Sequence, residues 1–228
     1  LEKEYEGYNK SVKNLMKAIQ KGHIQNALNN SFVVGEVIDV KKEYEVCMEI
    51  ALGGAISNII TKDENVAKEL INYLKANKLG RATFLPLNII KGNSIELSND
   101  IKSTPGYIGI ACDLINYREE FSQIIKHILG RTIICEDMDK ALNIAKKLRY
   151  KYKIVTLAGE IINAGGALTG GSVYQGKNSN VIGRKREIKE IKNKIKEIEN
   201  KIKLEMDLIQ KDQNKLTVLE ESCLHLKD

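Results

Sequence analysis

A seven-residue repeat of apolar residues in the C-terminal part of the chain constrains the fold more strongly than any other feature. One row of the repeat contains residues seven apart: Ile188, Ile195, Ile202, Ile209, Leu216 and Cys223. The second row contains Ile191, Ile198, Glu205, Asp212, Leu219 and Leu226, so two acidic residues interrupt it. Strict seven-residue spacing is typical of the a and d positions of a left-handed coiled coil. The sequence therefore predicts a coiled-coil helix over 183–228 whose apolar seam needs a partner helix.

A second apolar pattern lies at the N-terminus, where the spacing alternates between four and three residues. Its members are Leu1, Tyr5, Tyr8, Val12, Leu15 and Ile19. The pattern predicts another coiled-coil helix over 1–22, with Gly22 as its terminator. Two such helices can close an antiparallel coiled coil, although independent helices that form parallel oligomers are the alternative. At 1.5 Å per residue the returning helix is about 65 Å long, about twice the first, so we expect the chain to be a fragment.

The centre of the chain contains an internal repeat. The segment Gly35–Asp39 has a counterpart in Gly109–Asp113, 74 residues later, and Asn58–Ile60 has one in Thr132–Ile134. Each copy continues into a helical pattern and then into a strand-like apolar run. The sequence therefore predicts an α+β domain of two related subdomains, with bounds of 31–175 for the domain, 31–87 and 106–175 for the subdomains and 88–105 for the linker.

The candidate catalytic residue types are scattered or have a structural explanation. Asp63 and Asp137 precede the two helical patterns and are therefore predicted to cap them, rather than to act as a catalytic carboxylate pair. The four cysteines and three histidines are far apart, which favours reduced, buried thiols over disulfides or a zinc site. No apolar run has the length of a signal peptide or membrane span, so we expect a cytoplasmic protein without membrane contact.

Two glycine pairs, Gly165-Gly166 and Gly170-Gly171, lie just after an apolar strand pattern. Paired glycines allow close approach of a second backbone or of a phosphate. A phosphate loop has the pattern G-x-x-x-x-G-K-[ST], and Gly171 occupies its lysine position here. A partner interface at an exposed sheet edge is therefore favoured, with a phosphate- or nucleotide-binding enzyme using the Gly165–Ser172 loop as the alternative. The candidate interface residues are Gly165, Gly166, Ala167, Leu168, Thr169, Gly170 and Gly171.

Basic residues are concentrated near the end of the central domain and at the start of the returning helix. The chain has a net charge of +6, and the run 146–153 has five basic residues, two interleaved tyrosines and no acid. Such a run can bind nucleic acid through phosphates and stack tyrosines on unpaired bases, or it can be a solvated helix end. The candidate DNA-binding residues are Lys146, Lys147, Arg149, Lys151, Lys153, Arg184, Lys185 and Arg186.

Three motifs in order resemble the hinge of a structural maintenance of chromosomes (SMC) protein. They are Ala51–Ala55, Leu79–Leu87 and Gly165–Ser172, and they lie between the two heptad patterns. The details are most similar to the bacterial, homodimeric type. Ala167-Leu168 stands where many members of the family have Ser-Met, which leaves the glycines unchanged.

The resemblance implies a doughnut-shaped homodimer within a longer parent chain whose arms lead to ATP-binding heads. It implies a role in chromosome condensation and segregation, a location at the nucleoid, and kleisin and accessory subunits as partners of the parent protein. The chain itself has no Walker A motif. We therefore expect no ATP hydrolysis, no catalytic residue, no metal and no cofactor in this fragment.

Overall fold

Short β-branched runs alternate with amphipathic patterns along the chain, and they form short strands and helices around one core. The computed structural model describes residues 5–171 and 181–225. It divides into a globular unit, which ends at Arg184, and a helical unit, which begins at Lys185. The mixture of helices and strands confirms the predicted α+β class.

The described residues form eight α-helices and ten β-strands. The helices are α1 (Lys10–Gln20), α2 (Val34–Val37), α3 (Glu45–Leu52), α4 (Glu64–Ala76), α5 (Asn99–Lys102), α6 (Ser122–Leu129), α7 (Met138–Lys147) and α8 (Val181–His225). The strands are β1 (Ser31–Val33), β2 (Ile38–Val40), β3 (Ile59–Thr61), β4 (Phe84–Pro86), β5 (Tyr107–Ile110), β6 (Ile115–Tyr117), β7 (Thr132–Cys135), β8 (Lys153–Thr156), β9 (Ile161–Ile162) and β10 (Leu168–Thr169).

The internal repeat is visible as two sheets of the same construction. The first half has the strand order β1-β3-β4, and the second has β5-β7-β8-β9-β10. In each half the first strand is antiparallel to the second, and a helix connects the second strand to a parallel third strand. The second half differs from the first by the added hairpin of β9 and β10.

A small third sheet joins the two halves. Strand β2 of the first half pairs antiparallel with β6, the strand at the equivalent place in the second half, and Asp39 lies opposite Asn116. This structural equivalence is shifted by three residues from the 74-residue spacing read from the sequence. Antiparallel pairing of two equivalent strands is the arrangement that a local twofold axis between those two residues produces. The repeat in the sequence is therefore also an approximate internal symmetry in the globular unit.

The segment that connects the halves packs closely against the second half. The Gly92 N–H donates to the Gln123 Oε1 at 3.0 Å, and the Ile95 N–H donates to the Gly130 carbonyl at 2.8 Å. A Cβ at Gly92 would overlap the backbone of α6, so only glycine permits this approach. Ile95, with Leu97 and Ile101, is buried in the core. The connection is thus a packed element of the fold.

Both predicted helix caps are confirmed. The Asp63 carboxylate accepts hydrogen bonds from the N–H groups of Asn65 and Val66, at 2.9 and 3.0 Å. The Asp137 carboxylate accepts one from the Lys140 N–H at 2.9 Å, and this bond lowers the pKa of Asp137. Each aspartate therefore satisfies backbone donors at the start of its helix, α4 or α7.

The predicted burial of thiols holds for the three cysteines described with their side chains. Cys47, Cys112 and Cys135 are buried and form no disulfide. Burial raises the pKa of the Cys47 thiol, and that of the Cys135 thiol, to about 12. The side chain of Cys223 lies outside the described residues.

The N-terminal helix differs from the predicted coiled-coil arm. It begins at Lys10 rather than at the start of the chain, after a turn in which Tyr5 and Gly7 have positive φ values of 64° and 92°. The apolar stripe of α1, including Val12, Leu15 and Ile19, is buried in the core of the globular unit. An amphipathic helix against a core needs the same three-and-four spacing as a short coiled coil, so the spacing alone does not distinguish the two.

The C-terminal helix α8 is the predicted long helix, and its first residue is Val181. Its described seam residues are solvent-exposed in the single chain, with exposed fractions of 42% at Ile188 and 64% at Leu219. This helix is consistent with a coiled-coil segment whose partner is not among the described residues. None of the described helices is long and apolar enough to cross a membrane.

Candidate dimer interface and basic surface

The first glycine pair lies in a hairpin turn between β9 and β10. Leu168 is paired with Ile162, and the Asn163 N–H donates to the Ala167 carbonyl at 2.8 Å. Gly165 and Gly166 lie in the turn with positive φ values of 91° and 97°. Glycine adopts this left-handed region without the steric cost that other residues incur. The backbone conformation of the turn therefore explains why both residues of the first pair are glycine.

Strand β10 presents an unpaired backbone edge among the described residues. Alternate residues of an antiparallel strand direct their N–H and C=O groups to opposite sides. Ala167 bonds inward to β9, so the backbone groups of Leu168 point outward, and Gly170 follows two residues later. The Gly166 N–H, in contrast, donates to the Asn163 carbonyl within the turn at 2.9 Å. The Leu168 side chain is 57% exposed. The predicted position of this segment at a sheet edge agrees with the structure.

Gly170 has no reason within the described chain to be glycine. Its φ lies outside the left-handed region, and a Cβ there would lie 3.7 Å from the Glu160 Cγ, an ordinary contact. Gly171 has a φ of +130°, which a side chain tolerates poorly, but no neighbouring atom lies within 4 Å of an added Cβ. Among the described residues, only the Glu160 side chain lies beside Gly170 and nothing closes the space beside Gly171, as a surface for a second backbone requires.

A second open edge, which the sequence analysis did not identify, belongs to β4. The Ile59 N–H donates to the Thr83 carbonyl, and the Leu87 N–H donates to the Thr61 carbonyl, both at 2.9 Å. The intervening Phe84 therefore directs its N–H and C=O away from β3, and no described strand lies on that side. The only sequence signal was the resemblance of the surrounding motif, because the edge depends on strand order.

The open edge of β4 corresponds to a position that is covered in the second half. Ile59 pairs with Phe84 in the first half, and its counterpart Ile133 pairs with Ile154 in the second. Phe84 is therefore the counterpart of Ile154, which pairs on its other side with Ile162 of β9. In the second half the hairpin covers the position that is open in the first half. One chain thus has one uncovered third strand and one additional hairpin with an outer edge.

The glycine turn and the basic run contact each other at Tyr150. The Gly165 N–H donates to the Tyr150 carbonyl at 2.8 Å, and a Cβ at Gly166 would lie 3.5 Å from the tyrosine ring. Arg149 and Tyr150 have positive φ values of 52° and 53° at the end of α7. Two motifs that are separate in the sequence therefore form one surface.

Lys153 is not a surface cation. Its ammonium lies 3.0 Å from the Ala51 carbonyl oxygen and 3.4 Å from that of Ile50, at the C-terminus of α3. Burial lowers the pKa of Lys153. The interaction with the last carbonyls of a helix is favourable for a cation. This position in the predicted DNA-binding set therefore links the two halves, which the sequence could not reveal.

Three other members of the predicted DNA-binding set are paired with acids. The Lys147 ammonium lies 3.0 Å from the Thr104 hydroxyl and 3.7 Å from the Asp100 carboxylate. In the globular unit Arg184 lies 2.9 Å from Glu6. In the helical unit the partner of Arg186 is Glu190, 2.7 Å away, and Lys185 is also engaged in an interaction.

The remaining three members are exposed at the end of α7. Lys146 and Arg149 have no acidic partner among the described residues, and the Lys151 ammonium lies 5.4 Å from the centre of the Tyr152 ring. Arg131 lies 5.2 Å from the same ring. The geometry thus leaves a smaller cationic surface than the sequence predicted. Among residues 5–171 and 181–225 no group of three His, Cys, Asp or Glu could hold a metal ion.

The sequence and fold match those of a known protein family. The profile of the SMC proteins flexible hinge domain matches residues 29–145, just over half of the chain. The chain belongs to the SMC hinge family. The Clostridium kluyveri chromosome partition protein Smc is 51% identical to this hinge over 188 residues, 82% of the chain. The Bacillus subtilis protein of the same name is 36% identical over 192 residues. The chain spans 16% of the length of each of these relatives.

Solved hinge structures have the same fold. An asymmetric dimer of the Geobacillus stearothermophilus SMC hinge domain has a TM-score of 0.74 and 35% identity, covering 87% of this chain and 78% of that chain. The Pyrococcus furiosus SMC hinge domain has a TM-score of 0.54 and 30% identity, covering 72% of this chain and 90% of that chain. The predicted family is therefore confirmed, whereas the roles predicted for individual residues stay predictions.

Proposed function

We propose that this hinge forms a homodimer by pairing β4 of one copy with β10 of the other. The observation that supports this most directly is that β4 at Phe84 and β10 at Leu168 each end a sheet and have an unpaired outer side among the described residues. Exposed edges are templates for strand addition by another chain. A twofold axis would form the same contact twice and leave neither edge open. The apolar Leu168 on β10 is 57% exposed, and Ile89, three residues after β4, is 54% exposed.

The proposed pairing uses the outward groups of the two strands. Leu168 and Phe84 each present one N–H and one C=O outward, so in an antiparallel pair they would exchange two hydrogen bonds. Gly170 lies two residues beyond Leu168 and would allow the partner backbone to come close. The proposal includes no cofactor, because strand pairing needs none. The Geobacillus stearothermophilus relative, which was crystallised as a dimer, supports self-association.

Within a longer parent protein the dimer would join two arms. The relatives are named chromosome partition proteins, and the parent is expected to be an SMC ATPase that acts in chromosome condensation and segregation. That role would place it at the nucleoid, with a kleisin and accessory subunits as partners. The part proposed for this fragment is dimerisation, without ATP hydrolysis.

Light scattering on the full chain tests dimerisation. The expected mass at micromolar concentration is twice the chain mass, and a monomer would contradict the proposal. Because the exposed seam of α8 could also associate, the matched variant has Ile195→Lys and Ile202→Lys. Retention of the dimer in this variant assigns association to the globular unit, and its loss assigns association to α8.

We also propose sequence-independent DNA binding by the end of α7. The surface consists of Lys146, Arg149 and Lys151, which are exposed, beside the ring of Tyr152. Contacts to phosphates release counterions, so affinity should fall steeply between about 50 and 200 mM salt. Reversal of the three charges should weaken binding to all sequences equally. Unchanged affinity in the triple variant would assign binding to other residues.

The phosphate-binding alternative has less support. A phosphate loop connects a strand to a helix, whose N-terminus faces the anion. The described part of the glycine segment connects β9 to β10 instead, and Gly171 replaces the required lysine. Ser172 lies outside the described residues. Thermal stabilisation by ATP and magnesium would revive this alternative.

A further inference from the structure

Helix α3 is in contact with the start of α8. The Glu49 carboxylate accepts a hydrogen bond from the Val181 N–H at 3.1 Å. The first N–H groups of a helix have no partner within the helix, so an acceptor from elsewhere in the fold can cap them. Glu49 is 132 residues away from Val181 in the chain. The first turn of α8 is thus capped by a side chain of the first half.

The environment of this cap makes it more than a surface contact. Val181 and Ile182 are buried, with exposed fractions of 6% and 5%. Burial raises the pKa of Glu49, and nearby Glu45 raises it further, whereas the N–H groups of Val181 and Ile182 lower it. A carboxylate retained despite partial burial needs compensating hydrogen bonds, which the helix start supplies here.

The same end of α3 is also held by the second half. The Lys153 ammonium is in contact with the carbonyls of Ile50 and Ala51, in the last turn of α3. Lys153 is the first residue of β8, which pairs with β9, and β9 pairs with β10. One short helix therefore has an acid bonded to the start of α8 and carbonyls bonded to the sheet that ends in the open edge of β10.

We propose that Glu49 is a positioning residue that fixes the first turn of α8 to the hinge, and that Lys153 secures α3 for this task. The two contacts form a continuous connection from β8 through α3 to α8. This connection lies within the globular unit and depends on neither dimerisation nor DNA binding. If the proposal about Glu49 is wrong, the proposed dimerisation and DNA binding are therefore unaffected.

Amide hydrogen exchange measured by NMR on the full chain tests the proposal. Glu49→Ala removes the acceptor and should speed exchange at Val181 and Ile182 about fivefold, the equivalent of about 1 kcal/mol for a lost cap. Glu49→Gln retains an acceptor oxygen and should restore part of the protection. Lys153→Met should speed exchange in the last turn of α3 and, more weakly, at Val181.

Two control variants separate this effect from general destabilisation. Glu199→Gln, on the exposed part of α8, and Lys146→Met, on α7, should leave exchange at Val181 unchanged. Amides of the core strand β7 report global opening. Unchanged exchange at Val181 in Glu49→Ala would overturn the proposal. A uniform acceleration that includes β7 would also overturn it, because Glu49 would then act only through overall stability.

Discussion

Replacement of Gly170 separates the proposed dimer interface from the fold of the single chain. The residue has an ordinary φ, and an added Cβ meets only the Glu160 side chain at 3.7 Å. Gly170→Ala should therefore leave the folded monomer intact. It should even stabilise it slightly, by about 0.4–1 kcal/mol, because alanine restricts the unfolded chain.

The same methyl group should be costly in the dimer. It would project from the same face of the sheet as the Leu168 side chain, beside the edge where a partner strand is expected to pass. Insertion of a methyl group into a well-packed contact costs about 1–3 kcal/mol, and the twofold axis repeats it. The total of about 2–6 kcal/mol corresponds to a rise in the dimer Kd of roughly 30-fold to more than 10,000-fold.

Sedimentation velocity over a dilution series, with a thermal melt of each protein, measures both effects. The control is Ala76→Leu, which adds more bulk at an exposed position at the end of α4. The control should dimerise normally. A Gly170→Ala protein with the wild-type Kd would refute the close approach of a second backbone at β10. Loss of the fold would refute the claim that the glycine is dispensable in the monomer.

Three further predictions concern charges. Glu6→Gln frees Arg184 from its ion pair, and because the proposed DNA surface does not include Arg184, affinity in a filter-binding assay should stay the same; severalfold tighter binding would add Arg184 to the surface. Lys153→Met should leave the salt dependence of DNA binding unchanged, whereas Lys151→Met should reduce its slope by about 0.9. Asp137→Asn should lower the Tm at pH 7. Because its folded pKa is depressed, the Tm difference should shrink as pH falls below the unfolded pKa near 4, and a constant difference would contradict the cap.

The sequence predicts most features whose cause is local. The caps at Asp63 and Asp137 depend on an oxygen within three residues of its donor, so position alone reveals them. The repeat predicts two similar halves because the same pattern of apolar runs yields the same elements. The glycine segment is placed at a sheet edge correctly because a strand pattern leads into it.

Features that depend on distant parts of the chain could not be predicted from local patterns. The stripe of α1 packs against the core instead of a second long helix, and spacing does not distinguish these partners. Lys153 belongs to a basic run, yet its ammonium bonds to α3, about 100 residues earlier. The edge at Phe84 depends on strand order, which no local pattern encodes. Each error concerns the identity of a partner surface rather than the type of element.

The difference between the two halves explains how an internally symmetric chain can form a closed dimer. If both halves lacked the hairpin, each chain would have two equivalent open third strands at Phe84 and Ile154, and two copies could pair in several ways. If both halves had it, neither third strand would be open. The single hairpin beyond β8 makes the two edges different, one on β4 and one on β10. The proposed pairing of β10 with β4 would use both edges, and a twofold axis would repeat it and close the assembly after two chains.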